Sequence, residues 1–311
     1  PKISELIESL SHNSMYGKID LKSAYHQLEL SKEAADLTIF RTSEAFFRWK
    51  RTPFGLAQAP AIFQYYMSEI ILRGLTSGRN AICKVYLDDI VIFAKDLESF
   101  RTNVAIVFER LHNYNIKVSQ EKCEFEKEEI EYLGVVVSGV SKSIAPKTRE
   151  SLMRLERPSM VTNLRSYLGL ANYARAFLEG YAHKAAILQD MAAGRQKNAK
   201  LTWTPEAIEA FDSIKKTVQN AKQLQFIRDE GDLILYTDAS DYACGGVLMQ
   251  IQDGVEKPIE YFSKTFSKVQ RRWSVTDKEM FGVLTGVKMA HFYIAGRHCT
   301  VRTDHRALPF Q

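Results

Sequence analysis

Residues 82–95 read ICKVYLDDIVIFAK, with Asp88 and Asp89 side by side in an apolar run. The flanking Ile, Val, Tyr and Phe favour strands, whereas aspartate tolerates tight turns. The simplest local structure is a β-hairpin with the doublet at its tip. Two like charges there repel, and apolar surroundings make each costlier to keep ionised. A divalent cation would offset them. Asp20 in KIDLKSAYHQL ends a strand and is the natural third carboxylate. Three carboxylates on strand ends can hold two Mg²⁺ ions for phosphoryl transfer. Any one of them alone reads as a turn or cap residue, so the doublet carries the metal reading.

A second set lies downstream. Asp238 ends an apolar strand in LILYTDAS, Glu279 stands near the start of a long helix, and Asp304 ends the strand in VRTDH. Two strand ends and a helix can converge on a metal pair suited to phosphodiester hydrolysis. Each also has an ordinary use. Asp238 could cap a turn, Glu279 could close a capping box with Thr276 in TDKE, and Asp304 could be a loop residue.

The elements that position these groups are legible in outline. Residues 1–10 form a short amphipathic helix, 37–51 a hairpin, and 59–72 a helix with Ile62, Tyr66 and Ile70 on one face. A second helix over 97–115 turns Val104, Phe108 and Leu111 inward, and IEYLGVVVSG is a strand pair. From 146 to 221 the pattern is helical. Thr204 can N-cap TWTPEAIEAFDSIKKTV, Pro205 suits its first turn, and Ile208, Phe211 and Val218 make its buried stripe. Strands return after residue 231. The long helix over 277–295 ends at Gly296, a C-cap, and one more strand follows. The whole is an α+β chain whose last part is a distinct α/β unit.

Composition bounds the rest. A chain of 311 residues, 45% hydrophobic and 25% charged, has ample core for two or three globular domains. Cys83, Cys123, Cys244 and Cys299 form no CxxC pair, so they are expected to be reduced packing residues of an intracellular protein, with no zinc site. No stretch is long and apolar enough to span a membrane, and no signal-peptide pattern opens the sequence. The net charge is +5, and residues 141–200 hold eleven basic residues against four acids, a segment able to follow a phosphate backbone.

The wording of the motifs resembles a known family. YLDD at 86–89, DLKSAYHQL at 20–28, PFGLAQAPAIFQ at 53–64, KCEF at 122–125 and EYLG at 131–134 are similar to reverse transcriptase motifs, in the family's order. TDAS, a helical Glu and TDH resemble the ribonuclease H domain that follows. The wording is most similar to that of gypsy-type long-terminal-repeat retrotransposon Pol polyproteins. The resemblance implies partial fingers and palm over 1–141, a helical thumb or connection over 142–228, and a C-terminally incomplete ribonuclease H-like domain over 229–311. It implies an RNA-directed DNA polymerase that also cuts the RNA of the resulting hybrid. Asp20, Asp88 and Asp89 would hold one metal pair, and Asp238, Glu279 and Asp304 the other, with Mg²⁺ the expected ion and Mn²⁺ a substitute. Tyr25 would be the steric gate against a 2′-hydroxyl. Phe54, Gly55 and Gln64 would bind or support the nucleotide, Lys122 would meet the pyrophosphate, and Tyr132, Leu133 and Gly134 would be the primer grip. Gly245 and Gly246 would let backbone approach the duplex closely.

The implied partners are an RNA template, a DNA primer, their hybrid and deoxynucleoside triphosphates, with no membrane. The implied setting is a larger polyprotein with protease and integrase, in cytoplasmic virus-like particles or the nucleus, with dimerisation open. Against the family's pattern the chain starts late and stops early. Upstream fingers residues and a fourth ribonuclease H carboxylate are expected outside it, and Gln58 stands where Asn is usual. Two other readings are a non-catalytic binding or assembly subunit and an intron- or telomerase-type enzyme. Intact carboxylates argue against the first, and the ribonuclease H block after the thumb argues against the second.

Overall fold

The computed structural model describes residues 2–78 and 80–305. The chain divides into two compact units, Pro1–Val140 and Ser141–Gln311. The helical stretch over 142–228 falls in the second unit together with the strands that follow it.

In the first unit α1 (Ile3–Glu8) leads into β1 (Met15–Asp20). A short helix α2 (Lys32–Asp36) precedes the small hairpin β2 (Phe40–Arg41) and β3 (Phe46–Phe47). Helix α3 (Ala59–Tyr65) runs on as a wider π-helical turn, Tyr66–Ile71. Strands β4 (Cys83–Tyr86) and β5 (Asp89–Ala94) form the expected hairpin, followed by α4 (Leu97–Asn113), β6 (Glu124–Lys127), β7 (Glu129–Tyr132) and β8 (Val135–Ser138). The central sheet has the order β4-β5-β1-β6, and its pairs are antiparallel. Ile19, Ile90 and Ile92 pack with Phe63, Met67, Ile71, Phe100, Val107 and Leu111 into its core. β1 can lie this close to α4 because Gly17 has no side chain. A Cβ there would come within 2.8 Å of Phe100 Cζ.

Two helix faces differ from the sequence expectation. Phe63, Met67 and Ile71 face inward, while Ile62 and Ile70 are exposed. Both sets are apolar at four-residue spacing, and the sheet decides between them. In α4 the buried stripe is Phe100, Val107 and Leu111, with Phe108 exposed and Val104 only partly covered.

The second unit contains β9 (Ser141–Ile144), then α5 (Pro146–Arg154), α6 (Val161–Tyr173), α7 (Tyr181–Ala192) and α8 (Pro205–Gln219). Thr204 caps α8 as expected, its hydroxyl accepting from Ala207 N at 3.3 Å, and Phe211, Ile214 and Val218 are buried beneath it, with Ile208 half-buried. After β10 (Leu224–Gln225) come β11 (Leu233–Ala239), β12 (Ala243–Gln252), β13 (Val255–Thr265), α9 (Val275–Ile294) and β14 (Cys299–Thr303). The sheet order is β13-β12-β11-β14, with β14 parallel to β11.

Several basic residues of 141–200 serve this unit rather than its surface. Arg149 donates to the carbonyls of Val218, Gln219 and Ala221 at the end of α8, and Arg165 to those of Ala192 and Arg195 after α7. A cation at a helix C-terminus meets unpaired carbonyls and the negative dipole end. Lys147, Arg154, Arg175, Arg195, Lys197 and Lys200 remain exposed.

Candidate active sites

The first site is built on β1 and the β4–β5 hairpin. Leu87 and Asp88 form the two-residue connection, with Leu87 at φ +55°, and Asp89 opens β5. The positive φ follows from the tight turn, because two-residue hairpins need left-handed backbone to match strand twist. Asp20 and Asp89 are directly paired across β1 and β5. Like charges facing each other across strands destabilise a sheet unless a cation intervenes. Two lysines supply one here. Lys18 Nζ lies 3.0 Å from Asp89 Oδ1, and Lys122 Nζ lies 3.5 Å from Asp20 Oδ1. Lys18 escaped the sequence reading, although its place two residues before Asp20 on one strand puts it on the same face.

Gln64 locks the turn. Its Nε2 donates to Val85 O at 3.1 Å, and Leu87 N donates to its Oε1 at 2.7 Å. One side chain from α3 thus holds β4 and the turn of the YLDD hairpin. Tyr25 stacks edge-on against Phe54 (5.7 Å) and Phe63 (5.4 Å). Burial, then the Asp88 charge, push its phenol pKa up, so the ring lies within electrostatic reach of the doublet. Phe54 is 70% exposed. Gly55 has φ +93° and open space around it, so backbone conformation rather than crowding calls for glycine.

Leu133 and Gly134, both at positive φ, make the two-residue turn between β7 and β8. The Tyr132 side chain is fully buried beneath that turn. Its hydroxyl has no hydrogen-bond partner among the described residues, and burial drives its pKa up. Only the turn itself, not the Tyr132 ring, is presented outward.

The second site lies in the other unit. The register pairs Thr237 with Thr303, so Asp238 and Asp304 leave the same ends of adjacent parallel strands. Helix α9 brings Glu279 beside them. Among the described residues, Asp238, Glu279 and Asp304 form a group whose carboxylate oxygens all lie within 4.8 Å of one another. Gly286 permits the close approach of α9: a Cβ there would meet Phe262 Cζ at 2.7 Å and Thr237 Cγ2 at 3.2 Å, whereas one at Gly282 would reach only ordinary contact with Cys244 Cβ, at 3.4 Å. Glu279 is not the capping residue that TDKE suggests. Ser274 is the N-cap, its hydroxyl accepting from Asp277 N at 3.1 Å. Glu279 lies further along the helix, 4% exposed, with Oε2 buried and unpartnered. Burial first, then the charges of Asp238 and Asp304, raise its pKa. A buried carboxylate with a vacant oxygen beside two others fits a divalent cation. Gly245 and Gly246 serve internal packing, since a Cβ at Gly246 would overlap Tyr236 O and one at Gly245 would come within 2.9 Å of Phe262 O. The crowding comes from the neighbouring strands, and both glycines also line the cavity beside Asp238 and Asp304.

Comparison with known proteins agrees with this division. The family model described as "Reverse transcriptase (RNA-dependent DNA polymerase)" matches residues 2–137, and that described as "RNase H-like domain found in reverse transcriptase" matches residues 203–301. The retrovirus-related Pol polyprotein from transposon 297 of Drosophila melanogaster is 33% identical over 309 residues, covering 99% of this chain and 28% of the relative. That from transposon opus, also of Drosophila melanogaster, is 30% identical over 100% of this chain and 31% of its own length. The transposon Tf2-3 polyprotein of Schizosaccharomyces pombe is 30% identical over 99% of this chain and 23% of its own. The chain thus spans under a third of these curated relatives. In fold it is similar to the foamy viral protease-reverse transcriptase in complex with RNA/DNA hybrid, with TM-score 0.80 and 20% identity over 98% of this chain and 40% of that one. Residues 2–137 of the chain thus match the reverse transcriptase family, and residues 203–301 match the RNase H-like domain found in reverse transcriptases.

Proposed function

We propose that this chain is an RNA-directed DNA polymerase with ribonuclease H activity, copying retrotransposon RNA into DNA and cutting the RNA strand of the hybrid. The observation that carries the reading is the presence of two separate carboxylate sets: Asp20 with Asp88 and Asp89 at the end of β1 and the β4–β5 turn, and Asp238 and Asp304 at the ends of two strands with Glu279 from α9. Making double-stranded DNA from RNA needs both chemistries, since the template RNA must be removed before the second strand is completed.

In the polymerase site Asp20, Asp88 and Asp89 would hold divalent metal, and in the nuclease site Asp238, Glu279 and Asp304 would do so. Bound Mg²⁺, or Mn²⁺ in its place, supplies positive charge that activates the attacking oxygen and stabilises the leaving one. The protein's own groups set the stage. Lys18 and Lys122 balance the opposed carboxylates and keep the first site formed. Gln64 fixes the hairpin that carries Asp88. Tyr25 and Phe54 form the aromatic wall on which the deoxynucleotide sugar would rest, and the Tyr25 ring excludes a 2′-hydroxyl. Lys122, 64% exposed on its side chain, can reach a phosphate as readily as Asp20. The Leu133-Gly134 turn would support the primer. The helical segment would track the hybrid through its exposed basic residues.

The same reading covers the setting: a piece of a Pol polyprotein with protease and integrase, working on RNA template, DNA primer and deoxynucleoside triphosphates in cytoplasmic virus-like particles, with the nucleus as a second compartment. The test is paired. Primer extension on RNA and cleavage of a labelled RNA–DNA hybrid are measured with Mg²⁺, and loss of each activity in the Asp88→Asn and Glu279→Gln variants respectively is expected. Absence of both activities from the parent chain would overturn the catalytic reading.

A further inference from the structure

Asp238 and Asp304 open onto a cavity of about 760 Å³ in the second unit. Part of its wall comes from outside the strands that carry those acids: Gly180, His183 and Lys184, at the start of α7. That helix is pinned to β13 and the loop after it at three points. Ala182 N donates to Ser263 Oγ at 3.1 Å, and Thr265 Oγ1 donates to Gln189 Oε1 at 3.0 Å. Arg271 binds both carboxylate oxygens of Asp190, at 2.5 and 3.1 Å. A side chain carried by a helix held this way has a defined position.

The cations of the cavity wall are engaged elsewhere. Lys184 Nζ donates to Glu179 O and Thr217 Oγ1, both at 2.8 Å, and Arg302 donates to Tyr236 Oη at 2.7 Å. His183 differs. It is half-buried in the wall and makes no hydrogen bond among the described residues. Burial pushes its pKa down against the opposing pull of the Asp238 charge, so the ring lies within electrostatic reach of that carboxylate. Neither ring nitrogen is buried, so both are open to a polar ligand in the cavity that the residue lines.

We propose that His183 is a substrate-contact residue of the second site, hydrogen-bonding the sugar–phosphate backbone of the strand held at Asp238 and Asp304. The proposal rests on the nuclease reading above and adds to it a contact from the helical segment. A neutral imidazole offers one N–H to a phosphate oxygen and one acceptor nitrogen to a ribose hydroxyl. It also explains why helix and sheet belong to one compact unit: the nuclease cavity is complete only with α7 in place.

The test uses the full chain and the variants His183→Phe, which keeps the ring volume, and His183→Asn, which keeps a hydrogen-bonding group. Steady-state cleavage of an RNA–DNA hybrid is measured with Mg²⁺, and hybrid affinity is measured in Ca²⁺. The Phe variant should raise KM and weaken hybrid binding by about fivefold to tenfold, the scale of one lost hydrogen bond. Its kcat and primer extension should change little, and the Asn variant should recover most of the affinity. A folded His183→Phe protein with parental KM and parental affinity would overturn the proposal. A parent chain that binds hybrid but cuts none would overturn the nuclease reading instead, and the Ca²⁺ affinities would still decide the role of His183.

Discussion

Asp20 and Asp89 stand directly opposite each other as the last register pair of the β1–β5 ladder. A sheet that ends on two facing carboxylates is arranged around a cation, and Lys18 at 3.0 Å and Lys122 at 3.5 Å provide positive charge from the protein itself. Asp88, in the turn beside Asp89, adds the third negative charge.

The role of Gln64 makes a sharp prediction. Gln64→Ala leaves Val85 O and Leu87 N without their side-chain partner, a loss of about 1–3 kcal/mol where those groups are shielded from water. Primer extension should fall far more than stability does, because the hairpin carrying Asp88 is no longer held. Chemical denaturation and extension assays on the same sample test this. Full extension activity in a destabilised protein would refute the locking role.

Removing the buried carboxylate separates the two activities. Glu279→Gln should abolish RNA cleavage and spare polymerisation. It should also flatten the pH dependence of stability in EDTA. An acid whose folded pKa is raised binds more protons folded than unfolded, so its contribution falls as pH rises from about 4.5 through the folded value. The parent should therefore lose stability over that window, and the Gln variant should lose less. Mg²⁺ at a hundredfold excess over its dissociation constant at this site should return about 2.7 kcal/mol more to the parent than to the Gln variant. Melting curves between pH 4 and 7, with and without Mg²⁺, read out every part of this.

The approach of α9 to its sheet is testable at Gly286. Alanine is favoured over glycine inside a helix by about 1 kcal/mol. Gly286→Ala should nevertheless destabilise, because its methyl would stand 2.7 Å from the Cζ of the buried Phe262. The displaced helix should draw Glu279 away from Asp238 and Asp304, so hybrid cleavage should drop while primer extension persists. A more stable variant with full cleavage would show that the packing is not limiting.

Tyr25 tests sugar selection. Its ring is held edge-on by Phe54 and Phe63, which fixes the wall that a sugar would meet. Tyr25→Val removes that ring and opens room for a 2′-hydroxyl. The ratio of ribonucleotide to deoxynucleotide incorporation should rise by at least tenfold. An unchanged ratio would remove Tyr25 from the gate.

Much of this was legible in the sequence where chemistry and local structure coincide. YLDD carries its own turn, and TDAS and VRTDH put aspartates just where apolar strands end. The less legible parts depend on partners far along the chain. The inward face of α3 was ambiguous because Ile62, Tyr66 and Ile70 repeat with the same spacing as Phe63, Met67 and Ile71, and only packing on the sheet selects the second set. TDKE looks like a capping box, but Ser274 offers an equally good hydroxyl two residues earlier and takes the cap, leaving Glu279 for the acidic cluster. Tyr132 reads as an accessible grip residue until β7 turns it inward. His183 carried no local signal, because the cavity it enters is made by strands some fifty residues downstream and beyond.

The most direct measurement is primer extension by this chain on an RNA template with Mg²⁺, run beside the Asp88→Asn variant. The account predicts extension by the parent and none by an Asp88→Asn protein with the same melting temperature. Equal extension by both would contradict it, since the YLDD doublet could then not be holding the catalytic metal.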